Sequence, residues 1–197
     1  MIKACCRVFF EEEYYSEIET DISGDIKDRR VAIHEAGHAL ISEILRTGCV
    51  SFVALGNVSG NIKGITITRA NEELQDSKRN REIDIMIALG GRAATEVILG
   101  EVDVGTIDDI QLALNSTYRL VAALGGTGLN VYDGVAETSE VMKRNLECAV
   151  NVEINRLYEE VRKIIIDNRK LLETIVCDVM RKKVLTYRDF HEMYAWE

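Results

Sequence analysis

A chain of 197 residues is long enough for one good-sized domain, and an apolar fraction of 47% is ordinary for a globular protein, which excludes wholesale disorder. With 33 acidic against 24 basic residues, a net charge of −9 and no clustered lysines or arginines, the chain would repel phosphate backbones and anionic membranes, so nucleic acid is excluded as a partner. Five cysteines, Cys5, Cys6, Cys49, Cys148 and Cys177, include no CxxC pair, and their odd number argues against a disulfide framework and for a reducing, cytoplasmic setting.

Residues 1–27 are the least legible. MIKACCRVFFEEEYY has too short an apolar run for a signal peptide, and Ser23-Gly24 interrupts the pattern, so a short helix or a loose N-terminal arm is expected over 1–27 and a domain over 28–197. From Asp28 as N-cap, RRVAIHEAGHALISEILRTG predicts a helix with Ile33, Ala36, Leu40 and Ile44 on one stripe and Gly48 closing it. Two β-branched runs separated by Gly, Asn and Ser predict strands near 50–55 and 62–68, paired as a hairpin. After a polar loop over 71–77, REIDIMIALGGRAATEVILG resumes the helical period and stops at Gly100. Gly90 and Gly91 fall inside that helix at a cost of about 1 kcal/mol each relative to Ala, which predicts close packing by another helix or by a site backbone.

Thr106-Ile107-Asp108-Asp109 opens a third helix that the Gly125-Gly126 pair ends, and a polar loop is expected over 125–137. Ser139 starts a helix reaching Ile166, Asp167-Asn168 caps RKLLETIVCDVMRKKV, and a short last helix follows Thr186 with Asp189 completing a capping box. No segment approaches the roughly 20 apolar residues of a membrane span. The sum is a mainly α fold with a small β-sheet or hairpin.

His34-Glu35-Ala36-Gly37-His38 is an HExxH motif on the first helix. At i and i+4 the two imidazoles share a face one turn apart, close enough to hold one tetrahedral zinc ion, while Glu35 projects beside them as the base. Zinc lowers the pKa of water from about 15.7 to about 7, roughly 12 kcal/mol in favour of hydroxide, which a lone glutamate could not supply. A surface salt-bridge pattern with a satisfied core histidine is the bland alternative. It fits poorly, because two of only three histidines fall at ligand spacing around a glutamate. His191, the third, is expected at the surface of the terminal helix.

A third ligand must come from elsewhere. An extended motif with a third histidine fails, since Ile41 and Ile44 stand where its glycine and histidine would be. Pattern leaves Glu96, among the small residues of the second long helix, and Asp109, in the first turn of the third, nearly even. Acids at a helix start also stabilise by about 0.3 to 1 kcal/mol without any function.

HEAGHA at 34–39, LGGRAATEVILGEVDVGTIDDIQLA at 89–113 and DNRKLLETIVCDVMRKKVLTYRDF at 167–190 together resemble the peptidase domain of the FtsH-type ATP-dependent zinc metalloproteases. The resemblance implies a helical peptidase domain over 28–197 with one zinc ion per chain, held by His34, His38 and Asp109. Asp108 replaces the family's usual Asn and Thr95 a common second acid. The resemblance further implies that Gly64, Ile65, Thr66, Ile67 and Thr68 form a strand edge to which an extended polypeptide substrate adds. It also implies a homo-hexamer. Family members carry an ATPase module, usually preceded by membrane spans. No GxxxxGK[ST] loop occurs here, so ATP hydrolysis is not assigned to these residues and a separate ATPase is a candidate partner. The unfamiliar residues 1–27 favour a stand-alone protein over an excised domain.

The expected activity is zinc-dependent endopeptidase hydrolysis of unfolded or flexible polypeptides by a metal-activated water, with Glu35 catalytic. The alternative is a non-catalytic adaptor module that keeps the fold and the zinc. A purely structural site would require a fourth protein ligand, from Asp108 or Glu96.

Overall fold

The computed structural model describes residues 22–58, 62–69, 77–102, 107–123, 125 and 139–193. Residues 1–21 of the arm expected over 1–27, most of the polar loop at 71–77, Thr106 and nearly all of the loop at 125–137 lie outside the described residues.

Among the described residues the chain order is α1 (Ile22–Leu45), β1 (Val50–Val58), β2 (Ile62–Thr68), α2 (Lys78–Leu99), α3 (Ile107–Ala122), α4 (Glu140–Asp167), α5 (Arg169–Lys182), β3 (Val184–Thr186) and α6 (Tyr187–Met193). The mainly α architecture with a small sheet is the one the sequence predicts. Helix α1 starts at Ile22 rather than being capped by Asp28. With no proline in the chain, Ser23-Gly24 costs too little to stop a helix. Asp28 lies within the helix, where its carboxylate accepts from Lys183 Nζ at 3.2 Å.

Helix α1 is the central element. Ile33, Ala36 and Leu40 are buried as the stripe predicts and Ile44 is partly buried, but Ala32, Ala39 and Ile41 on other sides are fully buried too. A helix apolar nearly all round belongs inside. It packs on α2, α5 and the sheet, and α2 in turn packs on α3 and α4. Glu43, almost fully buried, closes the exit from α1 by accepting from the backbone N–H of Gly48 (2.6 Å) and Val50 (2.7 Å), so the charge that burial would penalise is met by two donors. Gly48 itself has φ +80°, the left-handed region that this turn requires.

The sheet has the order β2-β1-β3, antiparallel throughout. The third strand was not anticipated. The sequence predicts α5 through Val184, but Lys183 adopts φ 60° and ends the helix at Lys182. Its carbonyl then accepts from Leu55 N at 2.8 Å, which starts the pairing of β3 with β1. Three residues are too few to show a period of two. Asn168 also differs from expectation: it gives α5 no side-chain cap, and its Nδ2 turns back to the Ile164 carbonyl (2.9 Å) to close α4. Ser77, Ser139 and the left-handed Gly100 cap their helices. The Asp189 carboxylate accepts from the Thr186 N–H, one half of the expected capping box, and also from the Thr186 hydroxyl.

Candidate metal centre

The close approach of α1 and α2 builds the site. A Cβ placed on Gly37 would lie 2.5 Å from both the Ala94 methyl and the Gly90 carbonyl oxygen, and one on Gly90 would lie 2.8 Å from the Gly37 carbonyl oxygen. The expected reason for two mid-helix glycines is therefore met: backbone lies against backbone. Gly91, next along α2, sits under the histidine rings. A Cβ there would be 2.4 Å from His34 Cε1, 2.5 Å from His34 Nδ1 and 2.6 Å from His38 Nε2.

One turn apart on α1, the rings of His34 and His38 meet edge to face with centroids 4.6 Å apart. Their Nε2 atoms are 3.0 Å from each other. Asp109, in the first turn of α3, brings Oδ2 to 3.0 Å from His34 Nε2 and 3.4 Å from His38 Nε2. These three are the one group of potential metal donors that converges among the described residues. Glu96, the rival for third ligand, is turned away: its Oε2 accepts from the Tyr158 hydroxyl at 2.6 Å, and Arg162 lies beside its other oxygen at 3.6 Å. Asp108 is exposed and outside the cluster.

The donor triangle fits zinc. Bonds of about 2.0 to 2.2 Å at tetrahedral angles put neighbouring donor atoms about 3.3 Å apart, close to the three separations observed. The tautomer fits too: His38 Nδ1 is 2.7 Å from the Ile87 carbonyl oxygen, to which it can only donate, leaving the Nε2 lone pair facing the cluster. A lone pair so close to another ring nitrogen and a carboxylate oxygen is repulsive unless positive charge sits among them. The electrostatics agree. Burial lowers the His38 pKa, but the Asp109 hydrogen bond, the charges of Glu35 and Asp109 and the Ile87 carbonyl outweigh it and raise it. Burial pushes the Asp109 carboxyl up, yet its contacts with both histidines hold it well below the usual range.

Glu35 lies on the neighbouring face of α1 and is 8% exposed. Its Oε2 accepts from the Thr66 hydroxyl at 2.7 Å, and that hydroxyl is also 3.0 Å from the Glu35 main-chain oxygen. Gly64 lies over the same side chain, since a Cβ on it would be 2.9 Å from Glu35 Cγ and 2.5 Å from Val31 Cγ1. Strand β2 is thus laid directly across the glutamate.

Strand β2 is also a sheet edge. Arg69 N donates to Cys49 O at 2.7 Å, so residue 69 faces β1. By the two-residue alternation Ile67 and Ile65 face it too, and the main-chain groups of Gly64, Thr66 and Thr68 point to the open side. Of the five strand residues singled out from sequence, these three present the edge.

Sequence reasoning missed the Ile87 carbonyl and the Thr66 hydroxyl, neither of which has a local signal. His191 is exposed as expected, edge-on to Tyr187 at 4.3 Å. Thr95 is buried, and its hydroxyl is satisfied within α2 by the carbonyls of Gly91 (3.2 Å) and Arg92 (2.9 Å), so an acid is not needed there. No described helix is long and apolar enough to cross a membrane.

Comparison with known proteins gives matches along most of the chain. The family model described as Peptidase family M41 matches residues 22–193. An ATP-dependent zinc metalloprotease FtsH 2 of Symbiobacterium thermophilum is 32% identical over 177 residues, which cover 85% of this chain and 30% of the relative. An ATP-dependent zinc metalloprotease FtsH of Thermus thermophilus is 27% identical over 182 residues, covering 85% and 29%. FtsH 1 of Sorangium cellulosum, with the same description, is 28% identical over 184 residues, covering 85% and 30%. The chain therefore spans about three-tenths of the length of the curated relatives it matches.

Proposed function

The chain belongs to peptidase family M41, and from that membership together with the donor cluster we propose that it is a zinc-dependent endopeptidase acting on unfolded or flexible polypeptide. The observation that carries the reading is the convergence of His34, His38 and Asp109 beside the buried Glu35. His34 Nε2, His38 Nε2 and an Asp109 oxygen would hold one zinc ion per chain. The ion would supply Lewis acidity, polarising a scissile carbonyl and acidifying water to a pKa of about 7.

The remaining work falls to the chain's own residues. Glu35 receives the proton of the attacking water on its carboxylate and returns it to the leaving amine. Its burial beneath β2 limits competing water, and Thr66 holds one of its oxygens. The open groups of Gly64, Thr66 and Thr68 offer a peptide main-chain hydrogen bonds, which bind an extended segment with little demand on its side chains. Ile65 and Ile67 hold that edge in place by pairing with β1. Three protein donors leave a position for water, as a catalytic site needs and a closed structural site lacks.

The relatives are named ATP-dependent, so this reading includes an ATPase module outside these 197 residues that delivers unfolded chain, and a homo-hexameric ring as the working assembly. The free thiols of Cys49, Cys148 and Cys177 suit a cytoplasmic setting.

The test is cleavage of unfolded casein by the zinc-loaded protein, with and without chelator, beside Glu35→Gln. Wild type is expected to cleave and to stop on chelation, while Glu35→Gln retains zinc and loses cleavage. A zinc-loaded wild type that cleaves nothing would favour the adaptor reading.

A further inference from the structure

Thr66 stands at the junction of two functions that the fold keeps on different elements. Its main chain faces the open edge of β2, where an extended peptide would pair, and its hydroxyl reaches inward to Glu35 on α1. The hydroxyl lies 2.7 Å from Oε2 and 3.0 Å from the main-chain oxygen of the same glutamate, so one side chain touches both ends of Glu35. Gly64, two residues back on the same strand face, leaves the space that Glu35 occupies: a Cβ there would lie 2.9 Å from Cγ and 3.2 Å from Oε1, so β2 and the glutamate are packed together on that side. Oε2 is thereby pinned, and Oε1 takes no hydrogen bond from any described residue.

We propose that Thr66 is the positioning residue of the site: its hydroxyl fixes the Glu35 carboxylate relative to the strand edge, so that Oε1 is the oxygen presented to the reacting proton. This rests on the peptidase reading for its catalytic consequence and on geometry alone for the contact. A hydroxyl donating to a carboxylate is a charge-assisted bond, stronger than its neutral counterpart and directional. Because the same residue offers its N–H and C=O to substrate, the distance between the bound peptide and the base is set through a single residue rather than through two loops. A base held in this way needs no reorganisation as the proton moves.

The assay uses the full chain carrying Thr66→Val, which keeps the shape and the main-chain edge but removes the hydroxyl, and Thr66→Ser, which restores it. With zinc bound and an unstructured fluorogenic peptide as substrate, Thr66→Val should lower kcat by about tenfold to a hundredfold, the effect of losing a hydrogen bond to a charged group. KM should stay within about twofold, since the edge is intact, and Thr66→Ser should recover most of kcat. A Thr66→Val enzyme with unchanged kcat, or a Ser variant as poor as Val, would overturn the proposal.

A second measurement is independent of activity. In zinc-free protein, Thr66→Val should lower the denaturation midpoint clearly more in the wild-type background than in a Glu35→Ala background, where the hydroxyl keeps only the main-chain oxygen of residue 35. Equal shifts in both backgrounds would show that the hydroxyl does not act through Glu35 and would likewise overturn the proposal. If the wild type cleaves no peptide, the peptidase reading falls while this cycle still decides the contact, with Thr66→Ala standing in should the valine variant not fold.

Discussion

Replacing Gly91 by alanine adds one methyl group where the structure has none to spare. That methyl would sit 2.4 Å from His34 Cε1, 2.5 Å from His34 Nδ1 and 2.6 Å from His38 Nε2. Carbon atoms in contact rest about 3.5 to 4.0 Å apart, so both rings must retreat by about 1 Å. Metal sites tolerate about 0.2 Å in their ligand distances, so the donor triangle opens too far to be closed by small adjustments. Losing a second-shell partner typically costs 10- to 100-fold in affinity; displacing two ligands should cost at least about 100-fold, or about 2.7 kcal/mol.

The effect on the metal-free fold is much smaller. Overpacking costs about 1 to 3 kcal/mol, but alanine gains about 1 kcal/mol over glycine within a helix. Net destabilisation is then about 0 to 2 kcal/mol, and the protein should still fold. Competition against a chromogenic zinc chelator, with denaturation of the metal-free protein alongside, separates the two terms. Zinc affinity within about threefold of wild type would refute the idea that Gly91 is glycine for the sake of the histidines.

Asp109→Ala should lower zinc affinity by about 100-fold or more, whereas Glu96→Gln, at a carboxylate bound to Tyr158 instead of the cluster, should leave it within about threefold. The same chelator competition reads both, and weak zinc binding by Glu96→Gln would count against the donor set. Asp189 supplies a pH test remote from the metal. Burial pushes its carboxyl up, but the Lys182 ammonium and the Thr186 hydroxyl and N–H outweigh this and hold it at about 2, against 3.8 for a free carboxyl. A pKa depressed by folding stabilises above the unfolded value, and that contribution is lost as pH falls from about 4 to about 2. Denaturant midpoints across that window should show an acid-side loss that Asp189→Asn lacks. An identical pH dependence in the two proteins would contradict the assignment.

How much of this was legible depended on how far along the chain each cause lies. The two histidines and Glu35 occupy one helical turn, so their spacing alone placed them on one face. The third donor is a tertiary fact. Pattern could not separate Glu96 from Asp109, because what turns Glu96 away is a tyrosine hydroxyl on another helix. The resemblance broke the tie for Asp109, and that is the acid found beside the two histidines. The start of α1 at Ile22 lies ahead of the expected N-cap Asp28 because a serine-glycine pair, unlike a proline, does not stop a helix whose apolar face is buried. Strand β3 was missed because it is too short to carry a period and exists only through pairing with β1.

The glycines connect the fold to the site. Gly37, Gly90 and Gly91 each weaken a helix by about 1 kcal/mol relative to alanine, so intrinsic propensity argues against all three. They lie where α1 and α2 touch through backbone, and that contact has two consequences at once. It brings the Ile87 carbonyl within 2.7 Å of His38 Nδ1, which selects the tautomer. It also seats His34 and His38 over Gly91, within reach of the Asp109 oxygen that α3 carries in against α2. Side chains at these positions would part the helices, and donor separations of 3.0 to 3.4 Å would widen beyond what one small ion can span. The local instability of α1 and α2 is therefore the condition for the donor cluster, and the HExxH spacing brings two histidine donors together only because a glycine surface lies beneath it.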